Sequence, residues 1–200
     1  MKLIQRTPDL SAYLRADEVI DHRHRLVRET SERLGVRTVD AYTYASAAFA
    51  FVRDTIPHSA DAGDPRVTWR ASDVLAARTG ICHAKAHALT ALLRAAGIPA
   101  GLCYQRLTGS DGDVNLIVHG LVAVRLPGSG RWVRQDPRGN TGGIDARFSA
   151  GRERLAWVPR PQFNEMDYPV VYEVPHAAVL DALRSSGDRD ELSLRLPTAL

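Results

Sequence analysis

Two hundred residues, 44% apolar and 24% charged, suffice for one hydrophobic core and exclude a multidomain machine, a disordered chain and a fibre. The 26 basic and 23 acidic residues leave a net charge of +3 and are interleaved throughout, so a nucleic-acid partner is not expected. Two cysteines are too few for a disulfide scaffold, the start Met-Lys-Leu-Ile-Gln-Arg-Thr-Pro lacks the apolar run of a signal peptide, and no stretch reaches the ~20 apolar residues of a membrane helix; a cytoplasmic protein without membrane contact is the expectation.

In chain order, residues 12–34 carry Leu14, Val19, Leu26, Val27 and Leu34 at helical spacing, which predicts a surface helix with a thin core stripe that Gly35 ends. Residues 39–56 have a fuller apolar face, Tyr42, Tyr44, Ala45, Ala48, Phe49 and Val52, and Pro57 cuts that helix off. Residues 58–69 read as a loop. Ser72 is placed to cap a short helix over 73–78. The clearest helix runs from Cys82 to Ala96, with Ala86, Leu89, Leu92, Leu93 and Ala96 on one face, Gly97 at the stop and Pro99 beyond. Cys82 stands at its N-terminal end, on the rim of the face that meets the core.

Beyond Pro99 the pattern changes to strands. Residues 102–106, 114–125 and 131–135 are rich in β-branched and apolar types, and Pro127-Gly128-Ser129-Gly130 makes the last two a hairpin. Helices followed by strands predict an α+β fold in which an antiparallel sheet carries the Cys82 helix. Residues 139–169 read as irregular, 170–174 as a last strand and 175–183 as a final helix; the tail, 185–200, has few means of staying ordered. One domain is expected over 1–200, with a helical part over 1–57 and a loop-rich part over 139–200.

A thiol at a helix N-terminus has its thiolate stabilised by the dipole and by unpaired backbone N–H groups, which makes Cys82 a candidate nucleophile. The hairpin supplies the rest of a site. With a two-residue turn at Pro127-Gly128, His119 faces Asp136 directly; with the four-residue turn, Asp136 moves to the diagonal position. Either way both side chains share one face, because strand side chains alternate with period two. A carboxylate there can hold one imidazole nitrogen and leave the other for the thiol. Nucleophile, base and orienting group are the parts that thiol acyl transfer requires.

These residues also resemble the transglutaminase-like superfamily, of papain-related fold. The likeness is carried by Ser72-Asp73-Val74-Leu75 through Thr79-Gly80-Ile81-Cys82, by Leu92-Leu93-Arg94-Ala95-Ala96-Gly97-Ile98-Pro99-Ala100, and by His119 with Trp132-Val133-Arg134-Gln135-Asp136-Pro137, a core of 72–137. The resemblance implies a papain-like core, Cys82 as nucleophile, His119 as general base and later acid, and Asp136 as the group orienting it. It implies no cofactor, and a peptide or protein substrate offering an amide or a glutamine side chain. Hydrolysis makes the protein a cysteine peptidase or amidase; attack by an amine makes it a protein-glutamine gamma-glutamyltransferase. A side-chain donor to the oxyanion is expected upstream of the nucleophile, with Trp69 the candidate and Gln105 a second. One departure stands out: an aromatic residue commonly comes soon after the histidine in this family, and here Gly120 and Leu121 take those places.

Two other readings stay open. His83 and His87, at i and i+4, could hold a zinc ion, with His22 and His24 a further pair, but Lys85 rather than a glutamate base lies between the first two. The fold could also serve as a binding module without turnover.

Overall fold

The structure, a computed structural model, describes residues 1–108 and 115–200. Val114, where the second strand is expected to begin, lies outside the described residues.

Helices come first, as expected, but the N-terminal helix is broken. Leu10–Leu14 form a 3-10 turn, residues 15–24 are irregular, and α1 spans Arg25–Gly35. The break has a local cause: one Asp17 carboxylate oxygen accepts the N–H groups of Val19 and Ile20, both at 2.7 Å, and turns the backbone away from helical geometry. Helix α2, Ala41–Thr55, begins with a capping box in which Asp40 and Thr43 satisfy each other's backbone N–H groups. In α3, Ala71–Ala77, Ser72 is not the cap: the helix starts two residues earlier than expected, after Arg70, and Ser72 lies buried in its first turn. Arg78 ends it in the left-handed region.

Helix α4, Cys82–Ala95, is the centre of the molecule. Every residue from 83 to 94 is buried, so the helix lacks the single core face that its periodicity predicts. Helices α1, α2 and α3 pack on one side of it, and strands β2 (Ala100–Thr108) and β3 (Leu116–Val124) on the other. Its alanines let neighbours approach from all directions. At its end Gly97, with φ of +73°, reverses the chain into β2.

Strands β4 (Val133–Gln135) and β5 (Met166–Asp167) complete an antiparallel sheet of order β4-β3-β2-β5. The β3–β4 register pairs Val122 with Gln135 and Val124 with Val133, the offset of the four-residue turn, although pairing stops there and 125–132 form a longer connection. The predicted last strand shortens to β6, Val170–Val171, which runs parallel to an unpredicted β1, Ile4–Gln5.

The tail departs most from expectation. Beyond α5, Ala177–Ser185, the chain forms α6, Arg189–Arg195. Asp188 caps α6, Leu192 is buried and Leu196 and Leu200 pack on the core. The Pro197 carbonyl accepts the Val118 N–H at 3.1 Å, on the part of β3 that β4 does not reach. Three leucines and one strand hydrogen bond thus order a segment whose composition alone suggested fraying. Among the described residues, no helix is long and apolar enough to cross a membrane.

Candidate active site

The site begins where α3 stops. The Gly80 carbonyl accepts the Ser59 N–H at 3.1 Å, which ties the loop over 58–69 to the residues just before Cys82. Ile81, the N-cap of α4, offers no side-chain acceptor, so the first-turn N–H groups gain no cap and the positive end of the helix falls on Cys82. Cys82 is half-buried and forms part of the wall of a cavity of about 350 Å³.

His119, on β3, and Asp136, just after β4, meet as the register requires. The His119 Nε2–H donates to Asp136 Oδ2 at 3.0 Å, and both side chains are buried. Asp136 is fixed on its other sides as well: Oδ1 accepts the Arg138 N–H at 3.2 Å and Oδ2 the Ala156 N–H at 3.1 Å. With Nε2 committed, Nδ1 of His119 is left for the Cys82 thiol, which shares the cavity wall with the ring. Burial pushes the Cys82 thiol up, but the electrostatic influence of His83, His119 and His58 around it holds it well below the ordinary thiol range. Burial likewise disfavours the charged form of His119, and Asp136 and the Cys82 thiolate more than offset this, raising it. Both shifts favour the thiolate–imidazolium pair over the neutral one.

Gly120 stands next to His119 for a steric reason. A Cβ there would lie 2.5 Å from His83 Nδ1 and 3.1 Å from His83 Cα. The His83 ring fills that space because its Nε2–H donates to the Val118 carbonyl at 2.9 Å, bracing the start of α4 against β3. The missing aromatic is supplied from far along the chain. Trp157 stands edge-on to the His119 ring, centroids 4.9 Å apart, and the Arg138 guanidinium lies over Trp157 at 5.1 Å. Arg138 is in turn held by both oxygens of Asp61, each at 2.7 Å.

Cys82, His119 and Asp136 are thus brought together, and the other predicted residues are not. Trp69 lies under the guanidinium groups of Arg70 and Arg184, at 4.3 and 4.7 Å from its ring, and does not line the cavity. Gln105 is the cross-strand partner of His119, but its amide donates to Asp167 Oδ1 at 2.8 Å, so it is turned away from the thiol. The histidine pairs serve backbone carbonyls and helix caps. His87 donates to Trp69 O at 2.8 Å, its ring held neutral by burial that pulls it down to about 4; His22 donates to Leu14 O at 3.1 Å; His24 caps α1. Among the described residues no cluster of three or more His, Cys, Asp or Glu side chains is arranged to hold a metal ion.

Two parts of the site have no signal in the sequence. His58, far upstream of Cys82, lines the cavity beside the thiol, with its Nδ1 3.9 Å from Asp61 Oδ1. Only the pairing of His58 with Gly80 brings it there. The second is the C-terminal segment from α6 onward, which contributes Arg189, Leu192 and Leu196 to the cavity wall.

The transglutaminase-like superfamily matches this chain over residues 28–137, starting in α1 and ending just past Asp136. The chain belongs to that superfamily. The likeness therefore reaches further upstream than the motifs over 72–137 indicate. Among solved structures, a candidate cysteine protease from Cytophaga hutchinsonii superposes with a TM-score of 0.55 at 17% identity, over 66% of this chain and 43% of that one, a likeness of fold. The periplasmic domain of TgpA from Pseudomonas aeruginosa, bound to ethylmercury, aligns with a TM-score of 0.45 at 21% identity, over 62% of this chain and 46% of that one. This chain spans less than half the length of either. No curated protein matches it in sequence.

Proposed function

We propose that the protein is a cysteine-dependent hydrolase that cleaves an amide bond through Cys82, His119 and Asp136. The observation that carries this reading is the Asp136 carboxylate held 3.0 Å from His119 Nε2, with the imidazole and the Cys82 thiol together on the wall of one cavity. The Cys82 thiolate attacks the amide carbon. The oxyanion formed is stabilised by the free N–H groups at the start of α4 and by the His58 side chain, which lines the same cavity. His119 Nδ1 gives its proton to the leaving amine as the C–N bond breaks, leaving a thioester on Cys82. Water then attacks the thioester, His119 takes its proton, and the acid and the thiolate are released. Asp136 keeps Nδ1 aimed at sulfur. Water is the default acceptor because it is the most abundant nucleophile.

Labelling with an electrophilic peptide probe, read by intact mass, tests this. One adduct is expected, at Cys82, absent from Cys82→Ser; His119→Ala slows it about a hundredfold or more, and Asp136→Asn, which acts only through His119, slows it by no more than that. Equal labelling of Cys82 and Cys103, or rates unmoved by both substitutions, overturns the reading.

A further inference from the structure

The lining of the cavity around the catalytic groups is mostly apolar. Ile81, Ile117, Val118, Leu192 and Leu196 supply the apolar part, from the turn before α4, from β3, and from α6 and the residue beyond, with Asp190 and Ser193 of α6 also on the wall. Two arginines also reach it, yet neither guanidinium is free to bind a carboxylate. Arg138 is held by both oxygens of Asp61, and Arg189 by Asp190 Oδ1 at 3.0 Å and the Ala60 carbonyl at 3.3 Å. Among the described residues, the cavity therefore offers apolar surface and neutralised charge next to the nucleophile. Its volume of about 350 Å³ is roughly twice that of a cavity that takes up benzene.

We infer that this cavity is the pocket for the acyl part of the substrate, and that the acyl group is uncharged, apolar and at least as large as a phenyl ring. The inference rests on the acyl-transfer reading and names its substrate class. A carboxylate-bearing acyl group would lose its hydration there without gaining a free cation, whereas each buried methylene contributes to binding in the transition state. The wall is also mechanically tied to the site. The Arg189 N–H donates to Pro65 O at 2.9 Å and the Val118 N–H to Pro197 O at 3.1 Å, so α6 is held at both ends by the segments that carry His58 and His119. The C-terminal segment thus sets the depth of the pocket.

The test uses the full-length protein and p-nitrophenyl esters of acetic, butyric, hexanoic and succinic acids, with acylated Cys82 counted by mass. The value of kcat/KM is expected to rise about fourfold per methylene from acetyl to hexanoyl, and the succinyl ester to be turned over more slowly than butyryl. Ile117→Trp, at a position 37% exposed and so tolerant of a larger side chain, is expected to lower the hexanoyl-to-acetyl ratio at least about tenfold. Leu196→Ala deepens the pocket and should raise the rate with an octanoyl ester relative to hexanoyl. The alkylation rate of Cys82 reports that each variant is folded around its site. A flat chain-length series, or a preference for succinyl, in a protein whose Cys82 still acylates overturns the pocket and leaves the nucleophile standing. So does an Ile117→Trp variant that lowers all esters equally. Turnover that survives Cys82→Ser removes the acyl-transfer reading and this inference with it.

Discussion

The two ends of α4 are built on opposite terms. At the C-terminal end Arg94, 3% exposed, satisfies three backbone carbonyls: Ala100 at 3.0 Å, Arg15 at 2.7 Å and Glu173 at 2.6 Å. Those three bonds join the helix to β2, to the N-terminal strap and to the segment after β6. At the N-terminal end, within reach of Cys82, the buried atoms His58 Nδ1, Ser59 Oγ and His83 Nδ1 have no protein partner. Stability is concentrated at one end of the helix, and polar groups whose hydrogen bonding is incomplete at the other. A site that must meet charge developing on a substrate needs donors not already spent on the fold, and such sites are made at some cost in stability.

The largest effect expected from this contrast is on the acid–base behaviour of the two thiols. Cys82 is held below the ordinary thiol range by its histidine neighbours, and Cys103, fully buried on β2, is pushed up by burial. A lowered thiol titrates at lower pH, so its thiolate persists as pH falls until that lower value is passed. Iodoacetamide alkylation of Cys82 should therefore be nearly constant from about pH 8 to about pH 6, where a free thiol slows on the order of a hundredfold. At the upper end the reaction should change only when His119, which is raised, loses its proton. Cys103 should label slowly throughout. A Cys82 rate that tracks a free thiol across this range would remove the ion pair.

Next in size is the stability of the C-terminal end. Burial pulls the Arg94 guanidinium down to about 10, so it is still charged at neutral pH, and its three bonds are to backbone carbonyls. Replacing it with a side chain of similar length, Arg94→Met, should cost about 3 kcal/mol in urea unfolding, because three buried acceptors lose their donor. The alkylation rate of Cys82 should not change in the folded variant. An equal loss of stability and of thiol reactivity would show that the two ends are not separable.

Legibility in the sequence divides along the same line. Cys82, His119 and Asp136 were legible because helix starts and strand alternation are local rules: a Gly-x-Cys before an alanine-rich run fixes the thiol, and period two fixes the face shared by the other two. The sum of residue numbers across the hairpin even limited the register to two choices, of which the structure takes the diagonal one. His58, Trp157 and α6 were not legible, since each reaches the site through contacts between segments far apart in sequence: His58 through Gly80, Trp157 through the Arg138–Asp61 pair, α6 through Pro65 and Val118. Trp69 is placed away from the cavity by contacts of the same long-range kind, with Arg184 from α5 over its ring. The broken N-terminal helix was a different kind of miss. The apolar spacing over 12–34 is real, but a single Asp17 side chain outcompetes it.

The smallest effect tests whether the incomplete hydrogen bonding at the Cys82 end carries a cost. Ser59 is fully buried, its backbone N–H is used by Gly80, and its hydroxyl has no protein partner. A buried hydroxyl without a partner loses its hydration and regains little of it in the fold. Ser59→Ala removes that hydroxyl and leaves the backbone bond to Gly80 in place, so the variant should be as stable as the parent or more stable by up to about 1 kcal/mol. Against the usual direction of point substitutions, which destabilise, even a neutral result is informative. If the alkylation rate of Cys82 falls in the same variant, the hydroxyl serves the chemistry; if it holds, Ser59 contributes only through its backbone. A clear loss of stability in urea would mean that the hydroxyl is satisfied after all, and the contrast between the ends of α4 would have to rest on His58 and His83 alone.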